Sequence, residues 1–213
     1  MIHNTPFLKS GVNKPLPVWK AHIRFHPEMY IGKIGDGSLP EDGIYRLIKE
    51  VLDDAISDFV PGSQRLIEVS INDRQVSVRD YSTSLPIDWL VEYVSERKRD
   101  GIGFDIESVN PIKHYGIGLK VINLLSSYFI AQSIKDGKTI IAEFEQGRLI
   151  DETFEEDSQQ QFGSLISFIP DPEIFGDFHF VMEHVRLLLL SYLSTNQGLE
   201  IKLNGQRLLP DLK

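Results

Sequence analysis

The sequence predicts an α+β sandwich, in which helices cover one face of a mixed β-sheet. Some long segments repeat apolar residues at the spacing of an amphipathic helix, whereas shorter segments alternate apolar and polar residues around two-residue turns. These segments do not alternate strictly as strand and helix, so an all-parallel sheet is not expected. The chain of 213 residues is long enough for one well-buried domain.

The composition limits the compartment and the partners of the chain. Hydrophobic residues make up 41% and charged residues 25%, as in ordinary globular proteins. No stretch approaches the roughly 20 apolar residues of a membrane span, so no membrane contact is expected. The absence of cysteine excludes disulfides and fits the cytoplasm, which we expect as the location. The net charge of −9 disfavours direct binding of nucleic acid, so DNA contact is expected only through other domains or subunits.

The first elements follow from apolar spacing and from helix-breaking residues. Residues 1–17 are expected to form an N-terminal arm, and residues 18–26 a short helix. A longer helix is expected over residues 42–60, because its apolar residues lie on one face and the Pro61-Gly62 pair ends it.

Hairpins and helices share the rest of the chain. The first hairpin joins alternating strands at residues 67–71 and 76–78, with a turn expected at Asn72 and Asp73. A helix is expected over residues 86–96. The further expected elements are a long loop over 97–115, a helix from Gly118, a hairpin over 128–144 with its turn at Asp136-Gly137, an acidic loop over 155–161, a strand over 163–170, a helix over 179–195 and a hairpin over 199–209 with its turn at Asn204-Gly205.

Three acidic residues of the long helix form one candidate site. Glu50 and Asp54 lie one helical turn apart on the same face, with Asp53 beside them. Most such faces are simply solvated. The alternative is a general base beside a carboxylate that binds Mg²⁺, a cation that takes oxygen ligands. The residues alone leave both interpretations open.

Two further features have a structural and a functional interpretation. Asp80 ends the strand "VSVRD", where an acid is usually a turn residue but can also accept a hydrogen bond from an exocyclic amine. Gly116 and Gly118 precede an apolar helical pattern in "GIGLKVINLLS". They indicate either a tight turn or a helix start whose N–H groups bind a phosphate.

Taken in order along the chain, these features resemble the GHKL ATPase superfamily, and in particular the N-terminal ATPase domain of the B subunits of DNA gyrase and topoisomerase IV. The likeness is carried by "HIRFHPEMYIG" at 22–32, "LIKEVLDDAISD" at 47–58, "YFIAQSIKDGKTIIAEFEQG" at 128–147 and "GSLISFIPDPEIF" at 163–175. It covers about residues 18–209. It implies the Bergerat-type fold as a single domain over residues 18–213, with a lid loop at about 97–115 and no transducer domain.

The resemblance also implies roles for individual residues, with ATP and Mg²⁺ as cofactors. Glu50 would be the general base that activates water, and Asp54 the Mg²⁺ ligand. Asp80 would bind the adenine amino group, with the Ser164 hydroxyl nearby. The other implied contacts of the bound nucleotide are Ser84, Pro86, Gly101, Gly103, Lys113, Gly116 and Gly118.

The chain departs from the family pattern in its glycine motifs. Serines stand at positions 82 and 84 where the family has glycine, and Thr83 stands where it has arginine. Serine adds a Cβ where glycine allows close backbone approach. Lys113 replaces another family glycine, Gly103 replaces the lid lysine, and Asp54 replaces an asparagine.

The sequence therefore leaves three functions open. The first is an ATP-binding module with weak or partner-dependent hydrolysis. The second is a catalytically silent relative that acts by interaction or regulation. The third is the same pocket reassigned to another small ligand. As partners the resemblance implies a nucleotide, and either a second copy of the chain or the B subunit of a topoisomerase.

Overall fold

The computed structural model describes residues 15–57, 64–96 and 118–209. Its helices are α1 (Val18–Phe25), α2 (Glu28–Ile31), α3 (Gly43–Ser57), α4 (Leu90–Ser95), α5 (Gly118–Leu124), α6 (Pro172–Phe175) and α7 (Met182–Thr195). Its strands are β1 (Leu66–Asn72), β2 (Gln75–Asp80), β3 (Ser126–Lys135), β4 (Lys138–Glu145), β5 (Arg148–Glu155), β6 (Gly163–Pro170), β7 (Glu200–Leu203) and β8 (Gln206–Arg207). Residues 1–14 of the expected arm, residues 58–63 and the expected loop over 97–115 lie outside these ranges.

The strands form one eight-stranded mixed sheet in the order β5-β4-β3-β6-β2-β1-β7-β8. All neighbouring strands are antiparallel except β1 and β7, which are parallel. The hairpins at Asp136-Gly137 and Asn204-Gly205 occur where the sequence predicts them. The predicted α+β class is confirmed.

Helix α3 supplies much of the core that joins helices to sheet. Its fully buried residues include Ile44, Leu47, Ile48 and Leu52, which recur at helical spacing. They belong to one apolar cluster with strand residues such as Val69, Val78, Ile166 and Phe168. Burial of each such side chain contributes about 1.5–3 kcal/mol relative to exposure, so α3 is held firmly and its polar face is presented in a fixed position.

Helix α1 holds the helices that flank the candidate site. The buried Lys20 ammonium pairs with Glu96, directly after α4, at 2.6 Å. One turn later, the Arg24 guanidinium donates to the carbonyl of Leu124 at the end of α5 and to Asp171, each at 2.7 Å. All three bonds cross long sequence separations, so α1 links α4 and α5.

The structure corrects several sequence-based boundaries. The first hairpin turns at Asp73 and Arg74, because Asn72 pairs with Gln75. Helix α4 covers only the second half of the predicted 86–96. Helix α7 begins at Met182, three residues later than predicted. The residues before it make other hydrogen bonds: the backbone amide of His179 donates to the carbonyl oxygen of Asp36, and that of Val181 donates to the hydroxyl of Tyr45.

Strand β5 has no counterpart in the sequence analysis. Its residues are almost all exposed, so the apolar alternation that marks a half-buried strand is absent. Backbone pairing with β4 forms it, and it includes Glu155, which was expected to begin a loop. No helix in the described part of the chain is long and apolar enough to cross a membrane.

Candidate functional site

The contact between α3 and α5 brings Glu50 to the first residue of α5. A Cβ atom placed on Gly118 would lie 2.8 Å from Glu50 Oε2 and 3.2 Å from its Cβ. The other carboxylate oxygen, Oε1, pairs with the Arg46 guanidinium at 2.6 Å, one helical turn away. One oxygen of Glu50 is thus held by α3 itself, and the other lies against the start of α5.

The acidic face of α3 divides into two environments. Asp54 Oδ1 accepts a hydrogen bond from the Tyr93 hydroxyl of α4 at 3.3 Å. Asp53 instead pairs with Lys49 and accepts from the Tyr192 hydroxyl of α7. Burial and this bond to Asp53 raise the pKa of Tyr192, so its hydroxyl stays protonated as a donor. Asp53 therefore has a structural role, whereas Glu50 and Asp54 lie toward α5 and α4.

Asp80 ends β2 and is 1% exposed. Its Oδ1 accepts from the Ser82 amide at 2.9 Å and the Ser82 hydroxyl at 2.6 Å. Its Oδ2 accepts from the Thr83 amide at 2.9 Å and the Thr83 hydroxyl at 2.6 Å. A hydrogen-bonded turn of this kind follows from the acceptor capacity of aspartate and the short side chains that follow it.

Strand β6 forms the other side of Asp80. Ser164 is its register partner on β6. Gly163 has φ +134°, and a Cβ on it would lie 2.0 Å from the Asp80 carbonyl oxygen. The Arg79 guanidinium donates to the carbonyls of Asp80 and Ser164 at 2.8 and 2.9 Å, and its burial lowers its pKa. The backbone around Asp80 is therefore closely fixed.

The residues after Asp80 line an open cleft of about 340 Å³. Its lining includes Ser84 and Pro86, and also Lys135 and Lys138 from the β3–β4 hairpin. Trp89 completes the apolar part of the lining. The cleft thus combines an aromatic side chain with two cations and with two carboxylates, those of Asp88 and Asp136.

The predicted site residues fall into two groups within the described ranges. Glu50, Asp54 and Gly118 lie together where α3, α4 and α5 meet. Asp80 and Ser164 lie together at the β2–β6 pair, and Ser84 and Pro86 follow in the cleft. The four remaining predicted residues, Gly101, Gly103, Lys113 and Gly116, lie outside the described residues and stay predictions.

Sequence reasoning missed three residues that contact the predicted ones. Arg46 was visible from its spacing, because residues four apart share a helix face. The Ser82 and Thr83 hydroxyls were treated only as replacements for other family residues. Their position two and three residues after an aspartate is the signal for a side-chain-capped turn.

The carboxylates of α3 can be tested for their fit to Mg²⁺. In the ranges that the structure describes, no three His, Cys, Asp or Glu side chains are grouped as a metal site. Mg²⁺ is commonly held by one or two carboxylates together with substrate phosphates, rather than by a complete protein cage. The Asp54 carboxylate is an oxygen donor of the kind that such an ion takes.

Several curated proteins are related to the chain, although no family model matches it. The B subunit of DNA topoisomerase 4 from Borreliella burgdorferi is 35% identical over 185 residues, which are 87% of this chain and 31% of that protein. The B subunit of the type 2 topoisomerase from Aquifex aeolicus is 33% identical over 199 residues, or 88% of this chain and 24% of that protein. The B subunit of DNA gyrase from Enterococcus faecalis is 27% identical over 205 residues, or 87% of this chain and 30% of that protein. The chain thus spans less than a third of the length of these relatives.

A solved structure shares the fold. The 43K ATPase domain of Thermus thermophilus gyrase B, solved in complex with an aminocoumarin, superposes with a TM-score of 0.70 at 23% identity. The match covers 89% of this chain and 50% of that chain.

The sheet and its helices define a protein of the GHKL fold class. Within that class, the chain resembles the B subunits of bacterial DNA gyrase and topoisomerase IV, to which it is 27–35% identical over most of its own length.

Proposed function

We propose that this chain is an ATP-binding domain that takes ATP together with Mg²⁺ where α3, α4 and α5 meet. The observation that carries the proposal is the contact between Gly118 and Glu50. A glycine at the start of α5 leaves the space beside Oε2 open, and a Cβ would fill it. The names of the relatives add support, since all are B subunits of topoisomerases.

The chain's own groups supply distinct parts of this function. Asp54 would hold Mg²⁺, which would neutralise phosphate charge when bound. Glu50 Oε2 would accept a proton from a water molecule, because it is the carboxylate oxygen that the Arg46 pair leaves available. The backbone of Gly116 and Gly118 would donate to phosphate oxygens.

Hydrolysis by this chain alone is proposed to be weak or dependent on a partner. The ion pair between Glu50 and Arg46, at 2.6 Å, restrains the movement of the Glu50 carboxylate. The lid lysine of the family is Gly103 here, so the chain lacks that cationic side chain at this position of its sequence. A second copy or the B subunit of a topoisomerase would complete the site, and DNA would be reached only through other parts of such a complex in the cytoplasm.

Calorimetric titration with a non-hydrolysable ATP analogue tests the proposal. With Mg²⁺ present, we expect heat with one-to-one stoichiometry, and weaker binding after Mg²⁺ is removed. Turnover of ATP is then measured on the same protein, where a low rate is expected that Glu50→Gln reduces by about a hundredfold or more. Glu155→Gln, on exposed β5, is the matched control and should change neither quantity.

A flat titration with millimolar analogue, on protein shown to be folded, would contradict the proposal. It would favour the silent interaction protein that the sequence leaves open.

A further inference from the structure

The carboxylate of Asp80 has no remaining place for a ligand donor. An ionised carboxylate offers about four lone-pair sites, two on each oxygen. Four donors occupy them, namely the amides and the hydroxyls of Ser82 and Thr83, at 2.6 to 2.9 Å. Both donor residues closely follow Asp80 in the chain, so the arrangement does not depend on distant packing.

The setting of Asp80 resists any rearrangement that would free it. The carboxylate is 1% exposed, and the Ser82 side chain is almost as deeply buried. The neighbouring backbone is fixed by Arg79 and by the close approach of Gly163. A ligand N–H that bonds to Asp80 must therefore displace a hydroxyl. The buried Ser82 hydroxyl would then lose its own acceptor, and the half-buried Thr83 hydroxyl would exchange its 2.6 Å bond to a carboxylate oxygen for one to water; either change offsets the gain.

We propose that the Ser82 and Thr83 hydroxyls form an internal cap that closes Asp80 to ligands, so that this carboxylate does not read the base of a bound nucleotide. The effect of the cap on nucleotide binding rests on the proposed function, whereas the cap itself is a property of the chain without a ligand. A free carboxylate only accepts hydrogen bonds, so it favours an amino group over a carbonyl at the same place on a base. With Asp80 capped, adenine and guanine nucleotides are bound alike.

The cap is tested first without any nucleotide, by a double-mutant cycle on thermal unfolding. Ser82→Ala with Thr83→Val removes both hydroxyls and is expected to lower the unfolding midpoint by about 4 °C or more. In an Asp80→Asn background, the same two substitutions should lower the unfolding midpoint by less than half as much, because the charged acceptor is gone. Ser191→Ala, an exposed hydroxyl of α7 that bonds to the Leu188 carbonyl, is the control and should show equal effects in both backgrounds.

Additive effects in this cycle would overturn the cap, whatever the chain binds. If Asp80→Asn does not fold, proton NMR of the unmodified chain decides the question. Hydroxyl protons of Ser82 and Thr83 that exchange slowly with water support the cap, and hydroxyl protons exchanging as fast as that of Ser191 contradict it.

The consequence is tested by binding of ATP and GTP analogues with Mg²⁺. For the unmodified chain we expect dissociation constants within about threefold of each other. Ser82→Gly with Thr83→Ala opens two acceptor positions on Asp80, and should create a preference for the ATP analogue of about tenfold or more.

The outcomes separate this inference from the proposed function. An unmodified chain that already prefers ATP tenfold, with the preference lost in Asp80→Asn, would overturn the inference and leave ATP binding intact. An unmodified chain that binds neither analogue would overturn the proposed function, while coupling in the unfolding cycle would still support the cap.

Discussion

Gly118 of α5 lies against Glu50 of α3 so closely that a Cβ at residue 118 would be 2.8 Å from Glu50 Oε2. Because Arg46 holds the other oxygen of Glu50, the side chain has little freedom to move away. The geometry of the proposed base therefore depends on the absence of a side chain at residue 118.

Gly118→Ala is expected to weaken binding of the ATP analogue by about tenfold, because the added methyl group fills the space beside Glu50 Oε2 that the ligand is proposed to enter. The unfolding midpoint should change little, because the gain of about 1 kcal/mol that alanine has over glycine in a helix offsets the strain of moving the Glu50 carboxylate against its pair with Arg46. Calorimetry and thermal unfolding on the same preparation check both parts. Unchanged affinity would place the ligand away from this contact.

Asp54→Asn is expected to change how binding depends on Mg²⁺. An aspartate beside phosphates repels them unless a cation screens the charge. Without Mg²⁺, the variant should therefore bind the ATP analogue more tightly than the unmodified chain, by about threefold to tenfold. With saturating Mg²⁺ the difference should disappear or reverse. Titrations in EDTA and in Mg²⁺ measure this, and an equal effect in both conditions would argue against Asp54 as the ligand of the ion.

Gly163→Ala is expected to destabilise the fold by about 3 kcal/mol or more, because φ is +134° and the new Cβ would collide with the Asp80 backbone. Gly176→Ala is the matched control: φ is also positive, at +65°, but nothing lies within 4 Å of the added atom. It should cost only about 1–2 kcal/mol. Chemical denaturation compares the two, and similar losses would mean that β6 does not approach Asp80 as described.

Glu68 gives the fold a defined pH dependence. Hydrogen bonds from Lys202 at 2.7 Å and Tyr81 at 2.8 Å lower the pKa of its carboxyl group. At acidic pH the folded state therefore binds fewer protons than the unfolded state. The contribution of Glu68 to the free energy of unfolding is complete above the ordinary pKa of a glutamate, and it is lost as pH falls through the lowered pKa of the folded state.

The Glu68→Gln variant should accordingly have a lower free energy of unfolding near neutral pH. Between about pH 5 and pH 3, that free energy should fall less than it does for the unmodified chain. Urea unfolding across that range is the measurement, with Glu155→Gln as an exposed control. Parallel pH curves for Glu68→Gln and the unmodified chain would contradict the prediction.

The sequence predicts most of the fold because apolar spacing specifies it. The stripe of α3 and the alternation in β1 and β2 appear as buried faces in the structure. The apolar pattern does not predict elements whose existence or limits depend on something other than the burial of apolar side chains. Strand β5 is exposed and depends on backbone pairing alone, and α7 starts late because tertiary bonds hold Val181 outside it.

The candidate site is predictable only in part for a related reason. Residue types and spacing indicate Glu50, Asp54 and Asp80, and the family resemblance connects them to Gly118. The partners of those residues depend on side-chain geometry. Arg46 could be found from helical spacing, whereas the saturation of Asp80 requires the positions of four donors.

The central claim is that an adenine nucleotide binds where α3 and α5 meet. Amide NMR of the labelled chain, titrated with the Mg²⁺–ATP analogue, tests it most directly. We predict that the largest shifts fall at Gly118, Leu119 and the turn of α3 around Glu50, with smaller changes at β7 and β8. Shifts confined to other surfaces, or no shifts at millimolar analogue, would contradict the claim.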